Sequence, residues 1–153
     1  MTHFNEQNYN AELKIVVNTC DSYGDALSLF FAAFNEYWPN CEFQVVINTE
    51  LDECRNYDVK VQNYVSDDGV DHWGDRLLKT LDRIDSEFVL MIYDDFILED
   101  VVNTDEIRCA LDLVKKNKKT AVAYLVNTKL PIEREFLGSM FSEVKNRVDY
   151  RLN

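Results

Sequence analysis

The run from Phe88 to Asp94 (FVLMIYD) constrains the fold most. It holds six apolar or aromatic residues with no polar alternation, and two adjacent carboxylates, Asp94 and Asp95, stop it. A strand without period-two alternation suits a sheet covered on both faces, the usual state of parallel sheets flanked by helices. The carboxyl end of such a strand is where chemistry is expected, because open α/β sheets bind ligands there. Phe96, Ile97 and Leu98 follow at once and are expected to bring the chain back to the core. That return weighs against the plainer reading of Asp94-Asp95 as the start of a solvated loop.

The rest of the chain supplies partners for this strand. Residues 13–18 (LKIVVN) form a β-branched run that reads as the first strand, and 43–48 (FQVVIN) as a second. Residues 59–64 alternate more and suit a position near a sheet edge. Between the first two strands, Leu27, Phe30, Phe31, Phe34 and Trp38 recur at helical spacing, with Asp21 or Ser22 as the expected cap and Pro39 as the stop. Trp73, Leu77, Leu78, Leu81 and Ile84 mark a second amphipathic helix that delivers the chain to Phe88. Asn103-Thr-Asp-Glu106 reads as a capping box, opening a helix with Ile107, Ala110, Leu111 and Val114 on its buried stripe. Lys115, Lys116, Lys118 and Lys119 suit the negative pole of that helix. Residues 120–126 predict a fifth strand. In 132–153, Phe136, Leu137, Met140 and Val144 at helical spacing predict a C-terminal helical segment interrupted by Gly138. Residues 1–11 are expected to be a loose lead-in.

Helices alternating with buried strands predict one α/β domain over 1–153, with a mostly parallel sheet and helices on both faces. The 153 residues suffice for one core. A net charge of −12 opposes phosphate-backbone binding, so no nucleic-acid partner is expected. No apolar run is long enough to span a bilayer, and the N-terminus lacks a signal pattern, so a cytoplasmic protein without a transmembrane segment is expected. Four cysteines without Cys-x-x-Cys spacing read as free thiols. With two histidines in the chain, a metal would take oxygen ligands, which means Mg²⁺, Mn²⁺ or Ca²⁺.

Two carboxylates at a strand end can hold a divalent cation that in turn meets phosphate oxygens. Adjacent residues on an extended strand point to opposite sides, so one metal ligand and one substrate contact is the expectation unless the strand has already broken. Thr19, Asp21 and Tyr23, in the turn after the first strand, are candidates for hydrogen bonding and stacking on a nucleobase, although turns commonly hold such residues. The chain has no Gly-x-Gly-x-x-Gly fingerprint and no P-loop, so phosphate binding would need metal and side chains. Arg76, beside Asp75, is one such side chain, with a surface ion pair as the alternative. Trp73 reads more readily as a core anchor than as a stacking platform. A receiver domain also places acids at strand ends, but its cluster follows the first strand, which does not fit here.

Residues 14–25 (KIVVNTCDSYGD), Tyr37-Trp-Pro39, 73–81 (WGDRLLKTL) and 87–98 (EFVLMIYDDFIL), in this order and spacing, resemble the N-terminal nucleotide-sugar-binding part of GT-A-type glycosyltransferases. The nearest likeness is to the family 2-like enzymes of bacterial surface and capsular polysaccharide assembly, over roughly residues 12–130. The resemblance implies a minimal or truncated GT-A (Rossmann-like) fold. It implies transfer of a sugar from a nucleoside-diphosphate sugar, with Mg²⁺ or Mn²⁺, to a glycan, lipid-linked or other hydroxyl acceptor. It implies Thr19, Asp21 and Tyr23 at the base, Asp75 and Arg76 near the ribose or diphosphate, and Asp94-Asp95 at the metal-binding motif; because Tyr93 stands where a second ligand would be useful, Asp95 is the expected metal ligand and Asp94 the expected donor-sugar contact. The sequence departs from the family's Asp-x-Asp motif by reading Tyr93-Asp94-Asp95. The 22 residues after Pro131 are fewer than the family's acceptor half needs, and the catalytic base stays unassigned between Glu133, Glu135 and none. The alternative is a non-catalytic domain of the same fold that binds a partner.

Overall fold

The β-branched run read as the first strand is β1 (Leu13–Asn18), and all its residues but Lys14 are buried. The computed structural model describes residues 12–50, 61–65, 72–117, 122–125, 132–136, 141–144 and 150–152. After β1 come a single 3₁₀ turn (Asp21–Tyr23), α1 (Gly24–Tyr37), β2 (Gln44–Thr49), β3 (Val61–Val65), α2 (Trp73–Arg83) and β4 (Phe88–Tyr93). Then follow α3 (Thr104–Lys116), β5 (Ala123–Tyr124), β6 (Ile132–Phe136), β7 (Phe141–Val144) and β8 (Tyr150–Leu152). The chain divides into two compact units, Met1–Val102 and Asn103–Asn153.

In the first unit, β2, β1 and β4 form an all-parallel sheet, and β3 extends it beyond β2 to give the order β3-β2-β1-β4. The chain lays down β1, β2 and β3 in one direction, then crosses back to place β4 beside β1. With right-handed crossovers, that reversal puts the connecting helices on opposite faces. Residues in register share a face, so Val16, Val46 and Met91 lie on one side, and Ile15, Val45 and Leu90 on the other. Leu77 of α2 clusters with Val16 and Val46, and Leu81 and Ile84 pack against them, which fixes α2 on the first side. The handedness then assigns α1 to the second side, where Ile15, Val17, Val45 and Ile47 are at most 1% exposed. This is a Rossmann-like arrangement.

The aromatic stripe of α1 is buried as its spacing predicts. Phe30 and Phe31 meet edge to face at 5.1 Å, and Phe34 stacks at a tilt on Trp38 at 5.3 Å. Burying each of these side chains contributes on the order of 2–3 kcal/mol. The helix ends where Pro39 forbids continuation, with Trp38 N–H still donating to the Phe34 carbonyl at 2.8 Å. Neither Asp21 nor Ser22 caps α1, because the 3₁₀ turn intervenes and Tyr23 takes the cap position without a side-chain hydrogen bond.

Three further expectations for this unit need correction, the first being the return of the chain to the core at Phe96, which is 54% exposed. The run in β4 is not covered on both faces: Val89 and Met91 are 38% and 40% exposed. β4 is the last strand of its sheet, and α2, seated over Val16 and Val46, leaves that flank partly open. On α2 itself, Arg76, Leu77 and Thr80 are buried, while Leu78 and Trp73 turn outward.

In the second unit, Asn103 caps α3 as expected, its Oδ1 accepting from Asp105 N–H at 3.2 Å and its Nδ2 donating to Glu106 at 3.1 Å. Ala110 and Leu113 of α3 cluster with Cys109, Ala123 and Leu125. The expected fifth strand is the two-residue β5, and it pairs with β8 rather than joining the parallel sheet. Where a helical segment was expected over 132–153, the described residues form no helix. Residues there make β6, β7 and β8, with β6 antiparallel to β7 and β7 to β8, in the order β5-β8-β7-β6. Short apolar runs fit either period, and here the aromatic and β-branched residues Ile132, Phe136, Phe141, Val144 and Tyr150 favour strands. Residues 1–11 and the Lys118 and Lys119 positions lie outside the described residues.

Candidate functional site

The reversal in strand order falls between β1 and β4, and the carboxyl ends of those two strands open side by side. A parallel sheet splays its connections apart at such a switch point and leaves a crevice. Here a cleft of about 280 Å³ opens there, lined among others by Thr19, Tyr23, Trp73, Tyr93, Asp94 and Asp95. Every one of these residues belongs to the first unit.

Thr19 follows β1 directly and is held on three sides. Its N–H donates to the Asn48 carbonyl at 3.1 Å, and its carbonyl accepts from Arg76 Nη2 at 3.1 Å. Its hydroxyl donates to Asp94 Oδ2 at 2.5 Å. Asp94 itself is 8% exposed, and its N–H reaches the Asn18 carbonyl at 3.4 Å, one step beyond the β1–β4 ladder. Phe96 N–H then donates to the Tyr93 carbonyl at 3.0 Å, closing a tight turn over Asp94 and Asp95. The strand has therefore broken before the acidic pair. Asp94 is turned into the protein and Asp95 stays exposed, so the two adjacent carboxylates meet different surroundings.

Beneath the cleft lies a buried polar layer. Asn18 and Asn48 are register partners, and Asn48 Nδ2 donates to Asn18 Oδ1 at 2.5 Å while its Oδ1 accepts from Thr80 at 2.9 Å. Buried amides survive only when paired, and these pairings fix the strand ends relative to α2. Arg76 extends the layer. Its guanidinium lies at 3.3 Å from Glu50 Oε1, and Glu50 Oε2 accepts from Asp21 N–H at 3.2 Å. Glu50 N–H returns a bond to Asp21 Oδ1 at 3.1 Å. One buried cation thus ties the loops after β1 and β2 to α2.

The aromatic residues gather on the same side. Tyr93 is in register with Asn18, which places it on the α2 face, and Trp73 lies against it at 6.4 Å with the rings 15° from parallel. Phe96 follows at 5.5 Å from Tyr93. Trp73 and Phe96 are 49% and 54% exposed, and Tyr23 is exposed as well.

Of the residues singled out in the sequence, Thr19, Tyr23, Asp94 and Asp95 come together at the cleft. Asp21 turns to the loop after β2, Asp75 is exposed on the first turn of α2, and Arg76 is buried, committed to Thr19 and Glu50. Sequence reasoning missed Tyr93 and Glu50, and it favoured the core for Trp73. The signal for Trp73 was its place on the first turn of a helix, where a large ring can overhang the strand ends. Among the described residues that line the cleft, none is Lys or Arg. Among the described residues no three His, Cys, Asp or Glu side chains cluster. Asp94 and Asp95 nevertheless offer hard oxygen donors, and Mg²⁺ or Mn²⁺ characteristically takes one or two carboxylates and completes its shell with water and substrate oxygens.

Among the described residues no helix is long and apolar enough to cross a membrane. The chain matches no protein-family model, no curated protein and no solved structure.

Proposed function

We propose that the first unit binds a nucleoside-diphosphate sugar across the carboxyl ends of β1 and β4, and that the protein is a glycosyltransferase domain of the GT-A type. The observation that carries this reading is the meeting of Thr19 and Asp94 at the switch point of a Rossmann-like sheet. In this reading Tyr23 stacks on the base and Thr19 and Asp21 shape the turn around it. Asp75 and Arg76 act near the ribose and diphosphate, Arg76 by holding Thr19 in place. Asp94, pinned through one carboxylate oxygen, contacts the donor sugar through the other, and Asp95 ligates Mg²⁺ or Mn²⁺. The cation would neutralise charge on the departing nucleoside diphosphate. The acceptor is a glycan, a lipid-linked glycan or another hydroxyl compound.

Calorimetric titration with UDP-, GDP- and dTDP-sugars in the presence of Mn²⁺ tests this. Asp95 is exposed, so Asp95→Ala should change stability by less than about 0.5 kcal/mol while abolishing the cation-dependent part of binding. No binding of any donor by the wild type, or equal cation-dependent binding by the variant, would refute the proposal. A second reading, binding without transfer, draws on Arg76: the cation expected at the diphosphate is buried beneath the cleft and bound to Glu50. Donor binding without sugar transfer or hydrolysis would favour it.

A further inference from the structure

The cleft at the ends of β1 and β4 attracts positive charge through its own side chains, before any metal or nucleotide enters. Asp94 and Asp95 both line it. Asp94 is 8% exposed, and the hydroxyl of Thr19 donates to its Oδ2 at 2.5 Å. Among the described residues no hydrogen bond reaches its Oδ1. A carboxylate has room for about four hydrogen bonds, so this oxygen, withdrawn from most of the water, is left short of a donor. The net charge of −12 adds a field that draws cations toward such a crevice.

The other walls select the kind of cation. Tyr23, Trp73 and Tyr93 line the same cleft, and Trp73 lies 6.4 Å from Tyr93 with the rings 15° from parallel. Ring faces attract a lightly hydrated cation and bury hydrocarbon. A hydrated metal ion gains little from either effect. An organic ammonium gains from both, and its N–H supplies the donor that Asp94 Oδ1 lacks. A cleft of about 280 Å³ is at the small end for ligand pockets, which suits a compact molecule.

We infer that the cleft is a binding site for a small protonated primary amine with an apolar body. The ammonium N–H donates to Asp94 Oδ1, the exposed Asp95 adds a second negative charge, and the hydrocarbon body lies against Trp73 and Tyr93. The amine site does not depend on the donor reading, and titration without nucleotide or divalent cation tests it separately.

The full chain is titrated at neutral pH, in the presence of a chelator, with benzylamine and hexylamine. Benzyl alcohol, which keeps the ring and loses the charge, and benzyltrimethylammonium, which keeps both and loses every N–H, are the comparators. Trp38 is buried and Trp73 half-exposed, so a change in tryptophan emission on binding reports on Trp73. At least one of the two amines should bind in the micromolar to millimolar range by calorimetry, and benzylamine at least about tenfold more tightly than either comparator. Asp94→Asn, which keeps the shape and removes the charge, should weaken amine binding at least about tenfold, and Trp73→Ala at least about threefold. Leu78→Ala, exposed on the same helix as Trp73, should leave it unchanged. Circular dichroism checks the fold of each variant, and if Asp94→Asn does not fold, Trp73→Ala and the two comparators decide. The inference is overturned if neither amine binds at millimolar concentration, if either comparator binds as tightly as benzylamine, or if folded Asp94→Asn or Trp73→Ala binds amine as the wild type does.

Discussion

Replacing Thr19 by Val removes one hydroxyl and little else, and it isolates the contact that joins the two strand ends. The hydroxyl donates to Asp94 Oδ2 at 2.5 Å, and Asp94 is 8% exposed, so little water can take its place. A hydrogen bond to a charged group is worth about 1.5–3 kcal/mol, and a buried carboxylate oxygen left without its donor keeps its desolvation cost. Thr19→Val should therefore destabilise the first unit by about 2 kcal/mol, which for a unit of roughly 100 residues lowers the melting temperature by about 10 °C. Asp94→Ala removes the other partner. The assay is urea unfolding followed by tryptophan fluorescence for the wild type, the two single variants and the double variant. The cycle should give a coupling of about 1.5–3 kcal/mol. A coupling under about 0.5 kcal/mol would refute the claim that this bond fastens β1 to β4 at the cleft.

Two further outcomes follow from the core and from a thiol. Phe34 is fully buried among Phe30, Phe31 and Trp38, so Phe34→Ala should cost about 3–5 kcal/mol in thermal unfolding, whereas Leu29→Ala, 59% exposed on the same helix, should cost little. Burial pushes the Cys41 thiol from its ordinary value of 9.0 up to about 11, with Glu42 adding to the rise and a backbone hydrogen bond with Phe43 opposing it. Thiolate is the reactive form, so Cys41 should alkylate about a hundredfold more slowly at pH 8 than an unperturbed cysteine. Because its proton is held more tightly in the folded protein, the stability it supports is full below about pH 9 and is lost as pH rises through about 11. Cys41→Ala should flatten that alkaline loss in urea titrations between these values.

The fold of the first unit was legible because its signals are redundant. β-branched runs, the i, i+3, i+4 aromatic stripe of α1 and Pro39 each say the same thing about the same segment. The second unit was not, since 132–153 carries few apolar residues per run, and spacing cannot then separate a helix from antiparallel strands. Periodicity also failed to show that β4 is terminal in its sheet. Strand order is a property of long-range pairing, and Val89 looks the same in sequence whether or not a neighbour covers it. At the cleft, residue type and strand-end position found Asp94, Asp95, Thr19 and Tyr23. Arg76 was found as a candidate, and only the structure reveals that its partner is Glu50, 26 positions upstream.

The seam between β1 and β4 also bears on how the protein folds. Thr19 and Asp94 are 75 positions apart, and every β1–β4 pairing closes a chain segment of similar length. Such closures are entropically the last to repay themselves, so β1 and β2, joined by the short α1 crossover, provide the surface onto which β4 later zips. The two walls of the cleft exist together only after that step. Any ligand gripping both walls therefore binds the zipped state alone, and its binding free energy resists the release of β4 in full. Protection of the β4 amides from hydrogen exchange would consequently rise with ligand concentration, ahead of the amides of β2, turning a terminal strand of the sheet into the recorder of occupancy.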